Sequence, residues 1–259
     1  MNKIGIIGGN GFVGKAMQKL FPNALVFGRD AKQSEIDSCN AVFVCVPTNF
    51  NGYDLDTSII EDIVKKCNSS LIIIRSTLNP GTADRLEIKY QKNICVVPEY
   101  VGETIAHPLL DEKARPFLII GGSPNNREKV IDLYQSVYNA NIKIRQVSNY
   151  QAEVIKLMEN RAIAFKMMQC QEAYDVIEKA KALGHEVDYY ETIQAVYSDD
   201  PRFNLWFTFV YPDKRGFNNS KCLKKDVPAW CAFAENVGYK PVLTRALVTR
   251  SNEYELYGE

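Results

Sequence analysis

The sequence predicts an α/β fold: a parallel sheet covered by helices on both faces, followed by a helical region. Three observations predict it. Short apolar runs alternate with amphipathic stretches through the first half, as left by strands buried on both sides and joined by crossover helices. A glycine-rich turn sits between the first strand and the first helix. After Ser148 the pattern changes to one helical period that continues unbroken to Leu183.

The strands are expected near 3–8, 24–28, 41–46, 71–74, 94–97, 116–121 and 142–145. Ala41-Val42-Phe43-Val44-Cys45-Val46 and Leu71-Ile72-Ile73-Ile74 are nearly continuous apolar runs, which suits parallel strands with no solvent face. The turn after the first strand reads Gly9-Asn10-Gly11-Phe12-Val13-Gly14 and opens an amphipathic helix over Phe12 to Leu20. A G-x-G-x-x-G turn between strand and helix is the Rossmann signature for a dinucleotide. Gly9 is expected to permit the turn, Gly11 to let the backbone approach the pyrophosphate, and Gly14 to let helix and strand pack closely. The free N–H groups at the helix start then bind the anion. The second strand ends in Val26-Phe27-Gly28-Arg29-Asp30. Asp30 stands about 20 residues past the loop, where a carboxylate accepts hydrogen bonds from the ribose hydroxyls of NAD. Arg29 leaves NADP open, since a guanidinium there pairs with a 2′-phosphate.

Ser148 followed by Gln151 reads as a capping box opening the long helix, and Gly184 is placed to end it. At 1.5 Å per residue such a helix spans about 50 Å, more than one small domain covers. It is therefore expected to join two domains or to pack against a second copy as a homodimer through 149–184. Residues 185–259 read as further helices broken by a loop of charged, aromatic and glycine residues between about 199 and 225. The expected domains are 1–148, the dinucleotide-binding Rossmann domain, and 149–259, the long helix with a small all-α dimerisation domain.

The chain's 259 residues are 46% hydrophobic and 24% charged, enough for one large or two modest cores. Thirty-one basic and thirty-one acidic side chains leave a formal net charge of zero, so no general electrostatic footprint for nucleic acid or an anionic membrane exists. A small-molecule partner is expected. The first residues lack a signal-peptide pattern and no apolar stretch is long enough to span a membrane, which predicts a cytoplasmic location. Seven scattered cysteines without a C-x-x-C pair, together with only two histidines, argue against a metal site, a redox dithiol and a Ser-His-Asp triad.

The glycine turn and five further segments, in order, resemble the UDP-glucose/GDP-mannose dehydrogenase family. Gly11-Phe12-Val13-Gly14 matches its G-Y-V-G, and Val46-Pro47-Thr48 with Gly52 and Asp54-Leu55 matches V-P-T-P…G…D-L. Arg75-Ser76-Thr77-Leu78-Asn79-Pro80-Gly81-Thr82 matches K-S-T-V-P-x-G-T with one residue inserted, and Pro98-Glu99-Tyr100-Val101-Gly102-Glu103 resembles N-P-E-F-L-x-E. Ala152-Glu153-Val154-Ile155-Lys156-Leu157 with Asn160 resembles A-E-x-I-K-L-x-x-N. Gly216-Phe217-Asn218-Asn219-Ser220-Lys221-Cys222-Leu223-Lys224-Lys225-Asp226 resembles G-F-G-G-S-C-F-P-K-D.

The resemblance implies oxidation of a nucleotide-sugar primary alcohol, such as that of UDP-glucose, to the carboxylate in two hydride transfers to NAD. Cys222 would add to the intermediate aldehyde as a thiohemiacetal and carry the thioester formed by the second transfer. Its lysine-rich neighbourhood, Lys221, Lys224 and Lys225, suits a reactive thiol better than a core one. Lys156 and Asn160, four apart on one helix face, would stabilise the oxyanions. Glu99 or Glu103 would be the base for thioester hydrolysis, with Thr77 and Asp226 positioning the water. Val46, Pro47, Thr48, Ser76 and Thr77 would line the cofactor.

Four local features depart from the family pattern: Gly102, Asn218-Asn219 in place of a glycine pair, the inserted Lys221, and Leu223-Lys224 in place of Phe-Pro. Asparagines tolerate fewer backbone conformations than glycines, so the loop is expected to take another shape or serve another sugar. Family members also continue into a second Rossmann-like domain, whereas this sequence stops at Glu259. The nucleotide-sugar site is thus expected to be completed by Arg202, Lys214, Arg215, Lys221, Lys224 and Lys225, or by a partner protein. Two competing readings follow: a two-electron hydroxyacid dehydrogenase similar to 6-phosphogluconate dehydrogenase, and a non-catalytic NAD-binding subunit.

Overall fold

The structure is a computed structural model that describes residues 3–102, 107–138 and 141–257. Its tightest contacts divide the chain into two units, Met1–Lys156 and Leu157–Glu259.

In the first unit, strands β1 (Ile4–Ile7), β2 (Leu25–Phe27), β3 (Ala41–Val44), β4 (Leu71–Ile74) and β5 (Ile94–Val96) form a parallel sheet in the order β2-β1-β3-β4-β5. The register is continuous, with Ile6 opposite Phe43 and Phe43 opposite Ile73. Every residue of β3 and β4 is buried, as their unbroken apolar runs require. Helices α1 (Phe12–Leu20), α2 (Gln33–Asp37), α3 (Ser58–Lys66) and α4 (Thr82–Tyr90) connect the strands. One core cluster joins Ile60, Val64 and Leu86 of α3 and α4 to Val42, Val44, Ile72 and Ile74. A second joins Met17 and Leu20 of α1 to Phe43 and Ile73. Alternate residues of the same strands therefore feed opposite faces, the mark of a doubly wound sheet.

All seven expected strands are present, but they do not form one ladder. Strands β6 (Phe117–Gly121) and β7 (Lys143–Val147), linked by α5 (Pro124–Gln135), pair in parallel as a separate two-stranded sheet. The reason lies at the outer edge of β5. The side-chain amide of Asn149 accepts a hydrogen bond from the Val96 N–H at 3.0 Å and donates to the Ile94 carbonyl at 3.2 Å. A side chain thereby takes the backbone groups that a neighbouring strand would otherwise use.

Helix α6 spans Asn149–Ala182, 34 residues, close to the expected limits. The Gln151 N–H donates to the Ser148 hydroxyl at 3.1 Å, which is the capping bond the sequence predicts. At the other end Gly184 has φ +88°, its N–H bonds to the Lys181 carbonyl, and the His185 N–H bonds to the Ala180 carbonyl. This paired closure is the Schellman arrangement, and it needs a residue at ease in the left-handed region.

The second unit continues from α6 through α7 (Tyr189–Gln194), a π-helical turn (Ala195–Asp199), α8 (Leu223–Asn236) and α9 (Val242–Tyr257). Its cores are small. Ala164, Met168, Phe217, Leu223, Val227, Leu247 and Tyr254 form one, and Cys170, Tyr189, Ile193, Tyr197 and Val210 form another. The irregular segment is shorter than expected at its far end, because Leu223 to Asp226 already belong to α8. Among the described residues no helix is long and apolar enough to cross a membrane.

Candidate functional site

The first unit carries a glycine cradle at the end of β1. The left-handed turn falls at Gly8, φ +79°, and a Cβ there would lie 2.4 Å from the Cys45 carbonyl oxygen. The sequence reading gave the turn to Gly9, which has no positive φ. Gly9 instead makes room for Val26, whose Cγ1 would meet a Cβ at 2.3 Å. Gly14 behaves as expected, since a Cβ would sit 2.3 Å from the Gly8 oxygen and 2.5 Å from the Gly9 Cα. Gly11 is the N-cap of α1 and offers no side-chain cap. The first amides of α1, at Phe12, Val13 and Gly14, lie beyond the reach of any intrahelical carbonyl, with exposed Asn10 and Gly11 leading into them. Such a helix start suits a pyrophosphate. Arg29 and Asp30 follow β2 and are both exposed, where Asp30 is open to a ribose.

The strand ends beside this cradle are tied to one another. The Ser76 hydroxyl donates to the Val46 carbonyl at 2.6 Å and accepts from the Val46 N–H at 3.1 Å, while the Thr48 hydroxyl donates to the Thr77 carbonyl at 2.8 Å. Pro47 between them is exposed. The turns after β3 and β4 are thus held as a pair, at the carboxyl end of the sheet where open α/β folds bind ligands.

Beneath them lies a buried charge network that the sequence reading missed. Arg75 Nη2 contacts Glu99 Oε2 at 2.6 Å and Glu112 Oε1 at 2.8 Å, and Nη1 donates to the Tyr134 hydroxyl at 3.1 Å. Arg115 contacts the same Glu112 oxygen at 2.8 Å, and the Tyr138 hydroxyl donates to the Glu112 carbonyl. Two cations face two carboxylates out of water, which is tolerable only because each charge is paired. The two acids are not equivalent. Burial opposes ionisation of Glu99, but Arg75, the Val101 N–H and Arg115 outweigh it and leave the carboxyl below its ordinary value. Glu112 is pushed up, because burial and the nearby Glu99 charge exceed the help from its arginines. Glu99 Oε1 also accepts from the Tyr100 and Val101 N–H groups at 2.7 and 2.6 Å. The signal available in the sequence was the arginine directly after Ile72-Ile73-Ile74: a cation at the end of a fully buried strand demands buried partners. Glu103 lies outside the described residues.

Glu153 has a structural task. Its carboxylate accepts from the Gly81 and Ala83 N–H groups at 2.6 and 2.9 Å and so caps α4. Burial pushes its carboxyl up to about 8 against those two bonds. Lys156 is 8% exposed, and its Nζ stands 4.6 Å from the centre of the Tyr100 ring.

In the second unit, Asn160 Nδ2 donates to Asp226 Oδ2 at 2.5 Å, both residues being buried. Lys225 Nζ contacts the other Asp226 oxygen at 2.7 Å. This amide proton of Asn160 is committed to Asp226, so the side chain anchors α8 as well as offering polar atoms. Cys222 stands at the start of α8 and is exposed, whereas the other six cysteines are buried. Burial pushes the thiols of Cys45 and Cys95 up to about 12, which leaves them inert at neutral pH.

The departures at the cysteine loop take a simple form. Asn218 and Asn219 have no positive φ, so no glycine pair is required there; the left-handed residue is Gly216, φ +72°. Three basic residues expected to meet phosphate are already engaged, Lys225 by its contact with Asp226. Arg215 is 7% exposed at its side chain and pairs with Asp175 at 2.5 Å, and Arg202 pairs with Asp200 at 2.5 Å. Lys214, Lys221 and Lys224 are exposed.

A doubly wound sheet with a glycine cradle at the first helix defines a dinucleotide-binding domain of the Rossmann type. Residues 12–140 match the model of the UDP-glucose/GDP-mannose dehydrogenase family, NAD binding domain, and the chain belongs to that family. The cofactor of this domain is NAD. The UDP-N-acetyl-D-mannosamine dehydrogenase of Methanocaldococcus jannaschii is 24% identical over 202 residues, covering 74% of this chain and 45% of that protein. The chain therefore spans less than half the length of that relative. Among solved structures, a UDP-glucose dehydrogenase from Pyrobaculum islandicum superposes with a TM-score of 0.79 at 20% identity, over 98% of this chain and 68% of that one. The 3-hydroxyisobutyrate dehydrogenase of Mycobacterium tuberculosis gives 0.70 at 14% identity, over 100% and 95%. Both are likenesses of fold.

Proposed function

We propose that the chain performs the NAD-dependent oxidation of a nucleotide-sugar primary alcohol to its carboxylate, with Cys222 as the nucleophile. The observation that carries the reading is the exposure of Cys222 at the start of α8 while six other cysteines are buried. A helix start favours negative charge, and Lys221 and Lys224 add positive potential around it.

NAD, when bound, accepts one hydride in each of two successive oxidations. The Cys222 sulfur adds to the carbonyl carbon of the aldehyde left by the first, the carbonyl π bond breaks, and the thiol proton passes by way of solvent to the carbonyl oxygen, giving a thiohemiacetal. Loss of the second hydride and the hydroxyl proton gives a thioester, and water cleaves its C–S bond to release the acid and the thiol. Lys156 supplies positive charge to the oxyanions. Glu99, held ionised by Arg75, takes the proton of the attacking water, which Thr77 orients. Asn160 and Asp226 hold the first turn of α8. Helix 149–184 carries a homodimer contact in this reading, testable by sedimentation.

The test is a panel of UDP- and GDP-sugars followed by NADH absorbance. Two NADH per sugar are expected. Glu99→Gln is expected to accumulate a sugar adduct on Cys222 detectable by mass, and Cys222→Ser to abolish the adduct. One NADH per substrate would move the assignment to a two-electron hydroxyacid dehydrogenase. NAD binding with every sugar left unoxidised would move it to a non-catalytic subunit.

A further inference from the structure

We infer that Gln171 and Ser251 are positioning residues for Cys222, acting through a backbone clamp on Gly216 and Phe217. The inference rests on the reading of Cys222 as nucleophile.

Gln171, on α6 and 3% exposed, engages one residue at both of its backbone groups. Its Oε1 accepts from the Gly216 N–H at 2.6 Å and its Nε2 donates to the Gly216 carbonyl at 3.1 Å. Ser251, on α9 and fully buried, accepts the next amide: Phe217 N–H to Oγ at 2.9 Å. The approach is close enough to fix the residue type, since a Cβ on Gly216 would lie 2.8 Å from both the Ser251 carbonyl oxygen and its hydroxyl. The Phe217 ring is buried against Ala164, Leu223 and Val227, so the segment is held by its side chain as well as by its backbone.

The clamp is relayed to the cysteine by consecutive hydrogen bonds. The Ser220 N–H donates to the Phe217 carbonyl at 2.9 Å. The Ser220 hydroxyl accepts from the Leu223 N–H at 3.2 Å and its carbonyl from the Lys224 N–H at 3.3 Å. Ser220 therefore caps the turn in which Cys222 sits, and Asp226, bonded to Asn160, closes the same turn. Asn218 adds a lateral tie, donating to Glu255 at 2.7 Å and Asn252 at 3.0 Å. A thiol on an otherwise irregular segment is thereby given one position relative to the helix start. Positional error of about 1 Å is expensive for a nucleophile.

The clamp can be read without substrate. Six cysteines are buried, so iodoacetamide labelling of the folded chain reports Cys222, with Cys222→Ser as the blank. Gln171→Ala and Ser251→Ala are expected to label roughly tenfold more slowly, because a displaced thiol loses the helix start that favours its thiolate, while NAD affinity stays unchanged. In turnover, kcat is expected to fall with KM retained. A purely structural role would lower the melting temperature and leave the labelling rate of the folded fraction unaltered, and that result overturns the inference. Should both variants unfold, hydrogen exchange in the unmutated chain decides: protected Phe217 and Leu223 amides support the clamp, and freely exchanging ones overturn it. If the sugar panel gives no turnover yet labelling slows in both variants, the clamp stands and the nucleotide-sugar reading falls.

Discussion

The two units hold their candidate site residues by different physics. In Met1–Lys156 the polar groups at the strand ends rest on a buried set of full charges, Arg75 and Arg115 against Glu99 and Glu112. In Leu157–Glu259 the segment leading to Cys222 is held mainly by bonds from the uncharged side chains of Gln171, Ser251 and Ser220. A charge network is strong when complete and costly when any member is lost. A set of neutral bonds yields in smaller steps, close to 1 kcal/mol each. The first arrangement suits a rigid cofactor platform. The second suits a nucleophile whose position is fixed by many modest contributions.

Substitutions separate these two modes of support, beginning with the largest effect. Arg75→Met leaves Glu99 and Glu112 buried without their shared cation and is expected to cost about 3–5 kcal/mol in urea unfolding; a loss below 1 kcal/mol would mean the network relaxes into water. Glu153→Gln addresses the helix cap. The native carboxyl is raised to about 8 from 4.5, so the folded state binds this proton more tightly than the unfolded one. The corresponding stability is complete below the unfolded value and is lost as pH rises towards 8. The advantage of the wild type over Glu153→Gln is therefore expected to shrink by roughly 2–4 kcal/mol between pH 5 and pH 8. A flat difference would show that the two N–H bonds fully offset burial. In the other unit, Asn160→Ala is expected to cost only about 1–2 kcal/mol, because Lys225 still faces Asp226. Cys222→Ser, on an exposed side chain, should change stability by under about 0.5 kcal/mol while removing the labelling signal.

Legibility in the sequence also divides between the units. The strands of the first unit are readable because burial on both faces leaves apolar runs such as Leu71–Ile74, and the glycine cradle is readable because its spacing reflects steric exclusion. Even there the turn residue proved to be Gly8, since the pattern gives spacing but not which glycine carries the positive φ. Arg75 was visible as a cation after an apolar strand, yet its partners Glu99, Glu112 and Tyr134 come from 24, 37 and 59 positions along the chain and carry no local mark. In the second unit the resemblance singled out Cys222 and Asp226 as residues. The clamp that holds them could not be read, because Gln171, Gly216 and Ser251 meet only when α6 and α9 pack on the same segment.

By itself the sequence determined the alternation of strands and helices, the dinucleotide loop, the limits of α6 and its Gly184 terminus, since these depend on near neighbours and on side-chain periodicity. Tertiary structure decided three further matters: that Asn149 occupies the β5 edge and leaves β6 and β7 as their own ladder, that Arg75 and the Val101 N–H hold the Glu99 carboxyl below its ordinary value while burial pushes that of Glu112 up, and that Asn218 and Asn219 replace glycines without strain. Each depends on which distant groups are brought together out of water, and in a low-dielectric interior that pairing, rather than the residue type, sets whether a polar side chain is charged, bound or available.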